Sequence, residues 1–295
     1  MKKIIASIVL VAVIASCLVF AYDQNNAPVQ NTSKLQVTAS YYPLYDFAKN
    51  VGGNKVQVTN ITPAGAEPHD FEPSPKALAT AQKSAVFVYN GGHMEPWTAG
   101  FVHDYRNVAV KASTGIDLAS AQDPHFWLDP VLAQKIVNNI RDGLSKADPA
   151  SKGYYEKNAL AYNTKLAQLD ADYTAGLTAC ATRTVISSHD AFSYLGKRYN
   201  ITIASIAGLS PQEEPSAAKL AELSKLAKDQ NIRYVFFESL VSPRLADTIA
   251  AETGAQTLVF DPIEGLLEAD QKQGKDYINV QHENLKNLRR ALACQ

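Results

Sequence analysis

The stretch Thr184-Val185-Ile186-Ser187-Ser188-His189-Asp190-Ala191-Phe192-Ser193-Tyr194-Leu195 decides the fold. A short β-branched run stops at paired serines, a histidine and an acid follow, and helical apolar spacing begins at Ala191. A short β-branched strand that feeds directly into a helix belongs to a parallel sheet covered on both faces. The alternation repeats in both directions. Strands are predicted over residues 35–40, 56–61, 85–89 and 108–111, then over 184–187, 201–206, 234–237 and 257–260. Helices are predicted over 75–83, 129–146, 191–198, 216–229 and 243–253. The fold class is therefore α/β, with two blocks of parallel sheet flanked by helices.

A helical pattern over residues 149–177 separates the blocks. Tyr155, Leu160, Tyr162, Leu166, Leu169 and Tyr173 recur at three-to-four spacing, and no proline follows Pro149. One helix of about 27 residues would be about 40 Å long and would stiffen the join; two helices broken near residues 170–172 are the alternative. The expected organisation is a first lobe over 35–148, a linking helix over 149–178 and a second lobe over 179–295.

Composition narrows the function. The chain has 295 residues, 46% hydrophobic and 19% charged, with a formal net charge of −1, which fits a folded core and offers no basic field for nucleic acid. Lys2 and Lys3 precede an uncharged apolar run from Ile4 to Ala21, the pattern of an export signal. Cleavage after Ala21 and a lipobox at Ile14-Ala15-Ser16-Cys17 that would lipidate Cys17 both fit, as does an uncleaved anchor. Each puts the folded part outside the cytoplasm, in the periplasm or on the outer face of the membrane. Residues 22–34 read as a polar, flexible tether. With Cys17 assigned to the signal, Cys180 and Cys294 remain as a pair in an oxidising compartment, and a disulfide between them is expected.

The histidines carry the chemistry. His69 follows the 56–61 strand, His189 follows the 184–187 strand, and Asp261 follows the 257–260 strand, the edge of a parallel sheet where ligands bind. His125 lies on a further loop, in Asp123-Pro124-His125-Phe126-Trp127-Leu128-Asp129-Pro130. Three imidazoles and one carboxylate suit zinc, whereas manganese favours more oxygen donors. Asp70, Asp129 and Asp190 are the nearby carboxylates expected to support the ligands. His93 reads as a bystander, and His103 and His282 as solvated.

Together, Pro68-His69-Asp70-Phe71-Glu72-Pro73-Ser74-Pro75, the His125 run, the His189 run, Gly208-Leu209-Ser210-Pro211-Gln212-Glu213-Glu214-Pro215-Ser216 and Phe260-Asp261-Pro262-Ile263-Glu264-Gly265 resemble the zinc/manganese solute-binding proteins of bacterial ABC importers, cluster A-I. The resemblance runs from about Leu35 to the carboxyl end. It implies two Rossmann-like lobes joined by one long rigid helix, with the metal at their interface, and puts the family's ligands on His69, His125, His189 and Asp261. Zinc members generally carry histidine at the third place, as here. The long His-rich loop of some zinc members is absent, since residues 114–122 hold no histidine.

The expectation is a monomeric, non-enzymatic carrier that captures one divalent ion and passes it to an ABC permease in the cytoplasmic membrane. An exported zinc hydrolase, with Glu238 or Glu264 as base, is the rival, although neither His-Glu-x-x-His nor Gly-x-Ser-x-Gly occurs. A manganese carrier and a surface adhesin are further alternatives.

Overall fold

In the first lobe β1 (Leu35–Ala39) lies parallel to both β2 (Val56–Asn60) and β3 (Val86–Tyr89), and β4 (Val108–Lys111) completes the order β2-β1-β3-β4. The second lobe repeats the winding with β5 (Thr184–Ser187), β6 (Thr202–Ser205), β7 (Tyr234–Phe237) and β8 (Gln256–Val259), in the order β6-β5-β7-β8. In each sheet the strand order reverses beside the first strand, so the connections leave on opposite faces and a crevice opens at the carboxyl ends. The computed structural model describes residues 34–91, 94–118 and 123–295. The signal, Cys17, nearly all of the tether, His93 and part of the short 114–122 loop lie outside them. No helix among the described residues is long and apolar enough to cross a membrane.

The helices follow from their buried stripes. In α1 (Tyr42–Gly52), Leu44, Phe47, Ala48 and Val51 are buried at helical spacing, and Pro43 suits the first turn. Shorter helices α2 (Pro75–Ala81) and α3 (Thr98–Asp104) share a separate apolar cluster with Phe87 and Tyr89 of β3. Asp129 caps α4 (Pro130–Ala147) by accepting from the N–H groups of Val131 at 2.8 Å and Leu132 at 3.4 Å. The link is one helix, α5 (Lys152–Gly176), unbroken through residues 170–172; its 25 residues span about 37 Å. Its buried stripe is Tyr155, Ala159, Tyr162, Leu166, Leu169 and Tyr173, whereas Leu160, one step off the stripe, is 71% exposed.

The second lobe adds α6 (Ser193–Tyr199), α7 (Ala217–Asp229), α8 (Arg244–Thr253), α9 (Glu268–Lys272) and α10 (Tyr277–Ala291). Asp276 and Asn279 form a reciprocal capping box at the start of α10. Just past its end, Cys294 is disulfide-bonded to Cys180, which fastens the carboxyl end beside the exit of the long helix.

One apolar core runs through both lobes: Leu44, Phe47, Trp127, Leu128, Tyr155, Tyr173, Phe260, Tyr277 and Leu288 belong to a single buried cluster. Polar ties cross at the same level. Trp127 Nε1 donates to the Pro262 carbonyl at 2.8 Å, and the Tyr194 hydroxyl donates to the Asp123 carbonyl at 3.2 Å. Arg198 grips Asp170 of the long helix with two 2.7 Å hydrogen bonds and stands 3.5 Å from Asp129. Wide opening would expose that core to water, at a cost that grows with the apolar area uncovered.

Candidate metal centre

His69 sits on the loop from β2 to α2, with its backbone N–H donating to Glu67 Oε1 at 3.1 Å. His125 ends the approach to the short 3-10 turn Phe126–Leu128, packed against Trp127 with ring centroids 5.2 Å apart. His189 leaves β5 at the point where the second sheet reverses direction. Glu264 lies in the loop that follows β8. These four side chains, two from each lobe, converge so that their donor atoms all lie within 4.8 Å of one another.

Five of the six separations are well inside that bound and nearly equal. His125 Nε2 is 3.2 Å from His69 Nε2 and 3.3 Å from His189 Nε2. Glu264 Oε1 is 3.3 Å from His69 Nε2, 3.2 Å from His125 Nε2 and 3.3 Å from His189 Nε2. A tetrahedron with arms of 2.0–2.1 Å has edges of about 3.3–3.4 Å, so these five edges suit the geometry zinc takes with nitrogen and carboxylate donors. His125, His189 and Glu264 are 0%, 0% and 1% exposed. Only the His69 side approaches solvent, and its side chain is 8% exposed.

The outward ring nitrogens explain why the inward ones are donors to a cation. His189 Nδ1 lies 2.6 Å from Glu238 Oε1, and His125 Nδ1 lies 2.8 Å from Asp123 Oδ1. A carboxylate there fixes the proton on Nδ1, turns the Nε2 lone pair inward and raises its basicity. Asp123 also accepts from the His125 backbone N–H at 3.0 Å, which locks the loop as well as the ring. Three lone pairs and a carboxylate oxygen at such separations repel one another unless positive charge stands among them.

In the metal-free chain, burial and the neighbouring carboxylates displace the titration of these groups. Burial would depress the His189 imidazole, but Glu238 and Glu264 override it and lift it well above the ordinary histidine value. Burial opposes, and hydrogen bonds to Asp123 and Glu264 reverse, the same effect at His125, which is also raised. Burial would raise the Glu264 carboxyl; the charge of His189 and hydrogen bonds from His125, His189 and His69 hold it well below the carboxylate range. Glu67, buried and beside the Glu264 charge, is pushed strongly upward.

Compared with the expected ligand set, the structure brings His69, His125 and His189 together and supplies Glu264, not Asp261, as the fourth converging donor. Asp261 Oδ1 instead accepts the Ile263 N–H at 2.7 Å, and Ser239 also hydrogen-bonds that carboxylate. Burial raises its carboxyl to about 6. The supporting carboxylates also differ from expectation. Asp129 is spent on its helix cap, Asp190 accepts from the Ser193 hydroxyl at 2.7 Å, and Asp70 is exposed. His103 is an exposed partner of Asp104, and His282 approaches Asp172 only to 4.0 Å.

Two like lobes that close three imidazoles and a carboxylate around one point define a two-lobed binding protein for a single divalent ion. Comparison with known proteins agrees in detail. The family model described as "ZnuA: Zinc-uptake complex component A periplasmic" matches residues 37–291, and the chain belongs to that family. It is 39% identical over 306 residues to the high-affinity zinc uptake system protein ZnuA of Bacillus subtilis (strain 168), covering 95% of this chain and 96% of the relative. It is also 39% identical over 310 residues to the zinc-binding lipoprotein AdcA of Streptococcus pneumoniae (strain ATCC BAA-255 / R6), covering 98% of this chain but 61% of that longer relative. The crystal structure of the Zn(II)-bound ZnuA-like domain of S. pneumoniae AdcA superposes with a TM-score of 0.80 at 41% identity, covering 88% of this chain and 99% of that one.

Proposed function

We propose that the chain is an extracytoplasmic solute-binding protein that holds one zinc ion between its lobes and delivers it to an ABC-type permease in the cytoplasmic membrane. The observation that carries this reading is the close, largely buried cluster of His69, His125, His189 and Glu264. Three nitrogens and one oxygen favour zinc over manganese. Four protein donors leave no open position for a reacting water, which favours carriage over hydrolysis. Export of the folded part rests on the amino-terminal apolar run and on the relatives' descriptions as periplasmic or lipoprotein. We take the working form to be a monomer with lobes over 35–148 and 179–295.

The function is tested by metal content and competitive titration on the purified chain: one zinc per chain, outcompeting manganese, is expected, and a chain that binds neither ion refutes it. Acid should drive release. Because His125 and His189 carry raised pKa values in the metal-free chain, zinc must displace their protons, so affinity rises with pH and is lost as pH falls. We expect about one to two protons released per ion near neutrality, read by calorimetry in buffers of different ionisation enthalpy. Equal affinity at pH 8 and pH 5.5 would contradict the donor set.

Delivery needs only local movement. The continuous core and the long helix predict superimposable small-angle scattering for metal-free and zinc-loaded chains. A metal-free form with a clearly larger radius of gyration would show that the lobes swing apart.

A further inference from the structure

The backbone just before Glu264 is unusual. Ile263 has φ of 60°, in the left-handed region that costs a β-branched side chain most. It is also 0% exposed, so the conformation is imposed by its surroundings. The restraint starts at Asp261, whose Oδ1 accepts the Ile263 N–H at 2.7 Å across Pro262, an Asx-turn closed by a carboxylate.

Asp261 is itself clamped. Its N–H donates to Asn284 Oδ1 at 2.9 Å, and Asn284 Nδ2 donates to its carbonyl at 2.7 Å, a two-point grip from α10. The Pro262 carbonyl is held by Trp127 Nε1, two residues from His125. On the far side of the turn, the Leu266 carbonyl accepts from the Gly65 N–H of the His69 loop at 3.2 Å. The turn is therefore fixed at both ends, and its bend at Ile263 aims the next side chain at the three imidazoles.

We propose that Asp261 is a positioning residue: by fixing Ile263 in the left-handed turn it aims Glu264 at the metal, and it does not ligate the ion itself. This rests on the reading of His69, His125, His189 and Glu264 as the metal site. Without the Asp261 acceptor, the buried Ile263 N–H loses its partner and the turn has reason to relax to negative φ, carrying Glu264 out of the tetrahedron. An asparagine keeps the acceptor, and the Ser239 hydroxyl can turn to accept from its amide group. Charge is then dispensable and the carbonyl-type acceptor is not, the reverse of what a ligand requires.

The test compares D261N, D261A and E264Q with wild type, using competitive zinc titration and the visible absorption of the cobalt(II)-substituted chain. D261N should retain affinity to within about threefold and keep the wild-type cobalt band, while D261A should lose about 10- to 100-fold, the usual cost of removing a group that orients a ligand. E264Q should lose more than D261A and shift the band. The melting temperature of metal-free D261A separates a local change from general unfolding, since a purely structural role would lower it without altering the cobalt band. Loss in D261N equal to that in E264Q would make Asp261 a ligand and overturn the proposal, as would unaltered binding in D261A. Unaltered binding in E264Q would instead overturn the metal site on which the proposal rests.

Discussion

His189→Ala lowers zinc affinity by about two to three orders of magnitude. Four-ligand zinc sites bind with about 10–16 kcal/mol near neutral pH, so one ligand accounts for roughly 3–4 kcal/mol. His189 is the right residue to remove because it joins both halves of the site. Its Nε2 faces His125 and Glu264, while its Nδ1 holds Glu238 at 2.6 Å. The substitution leaves Glu238, 3% exposed, without its partner, so circular dichroism and a melting curve must accompany the titration. His189→Gln, which fills more of the space, serves as the second variant. One-to-one zinc binding within tenfold of wild type in both variants would mean that the ion sits elsewhere.

Removing the disulfide acts on stability and spares the site. Cys180 and Cys294 are separated by 114 positions, and in the chain-entropy treatment closing so long a loop stabilises the fold by about 4–5 kcal/mol, with measured native disulfides spanning roughly 2–5. The double variant Cys180→Ser, Cys294→Ser should therefore unfold at a urea concentration lower by about 1–2 M, taking a slope of roughly 2–3 kcal/mol per molar. The bridge joins the end of α10 to the exit of the long helix, whereas the donor atoms lie on the loops that carry His69, His125, His189 and Glu264. Zinc affinity of the folded double variant should consequently stay within about threefold of wild type. An unchanged urea midpoint would show that α10 holds the carboxyl end by packing alone.

The strands and the long helix were legible because their signals are local. Each predicted strand lies within one or two residues of the observed one, since apolar β-branched runs bounded by Gly, Pro, Asn or Ser have few other uses. Two helices that support the site escaped. In α1 the spacing Leu44, Phe47, Val51 was present, but it begins directly after a strand in an aromatic run, Tyr41-Tyr42-Pro43, that does not read as a helix start. In α10 the buried face includes Gln281 and Asn284, which interrupt an apolar stripe. Those polar residues are buried because they serve partners remote in sequence. Gln281 Oε1 accepts from the Tyr173 hydroxyl at 2.7 Å, and Asn284 grips Asp261.

The same division holds at the site. Histidines directly after a strand, or framed by proline and aromatic residues, could be picked out one by one. The carboxylate could not, because the strand-end rule selects Asp261 while the turn at Ile263 delivers Glu264. A left-handed isoleucine has no propensity signal; the only hint was a second acid in the same loop, followed by glycine. The supporting carboxylates were obscured for a related reason. Asp123 precedes its histidine by two residues and is near in sequence, but Glu238 reaches His189 only because β7 lies next to β5 in the sheet.

The most direct measurement is an anomalous difference map at the zinc edge from crystals of the zinc-loaded chain. A single peak is expected within about 2.0–2.2 Å of Nε2 of His69, His125 and His189 and of Glu264 Oε1, with no water bound to the ion. A peak away from those atoms, or one that Asp261 or a water ligates in place of Glu264, would contradict it.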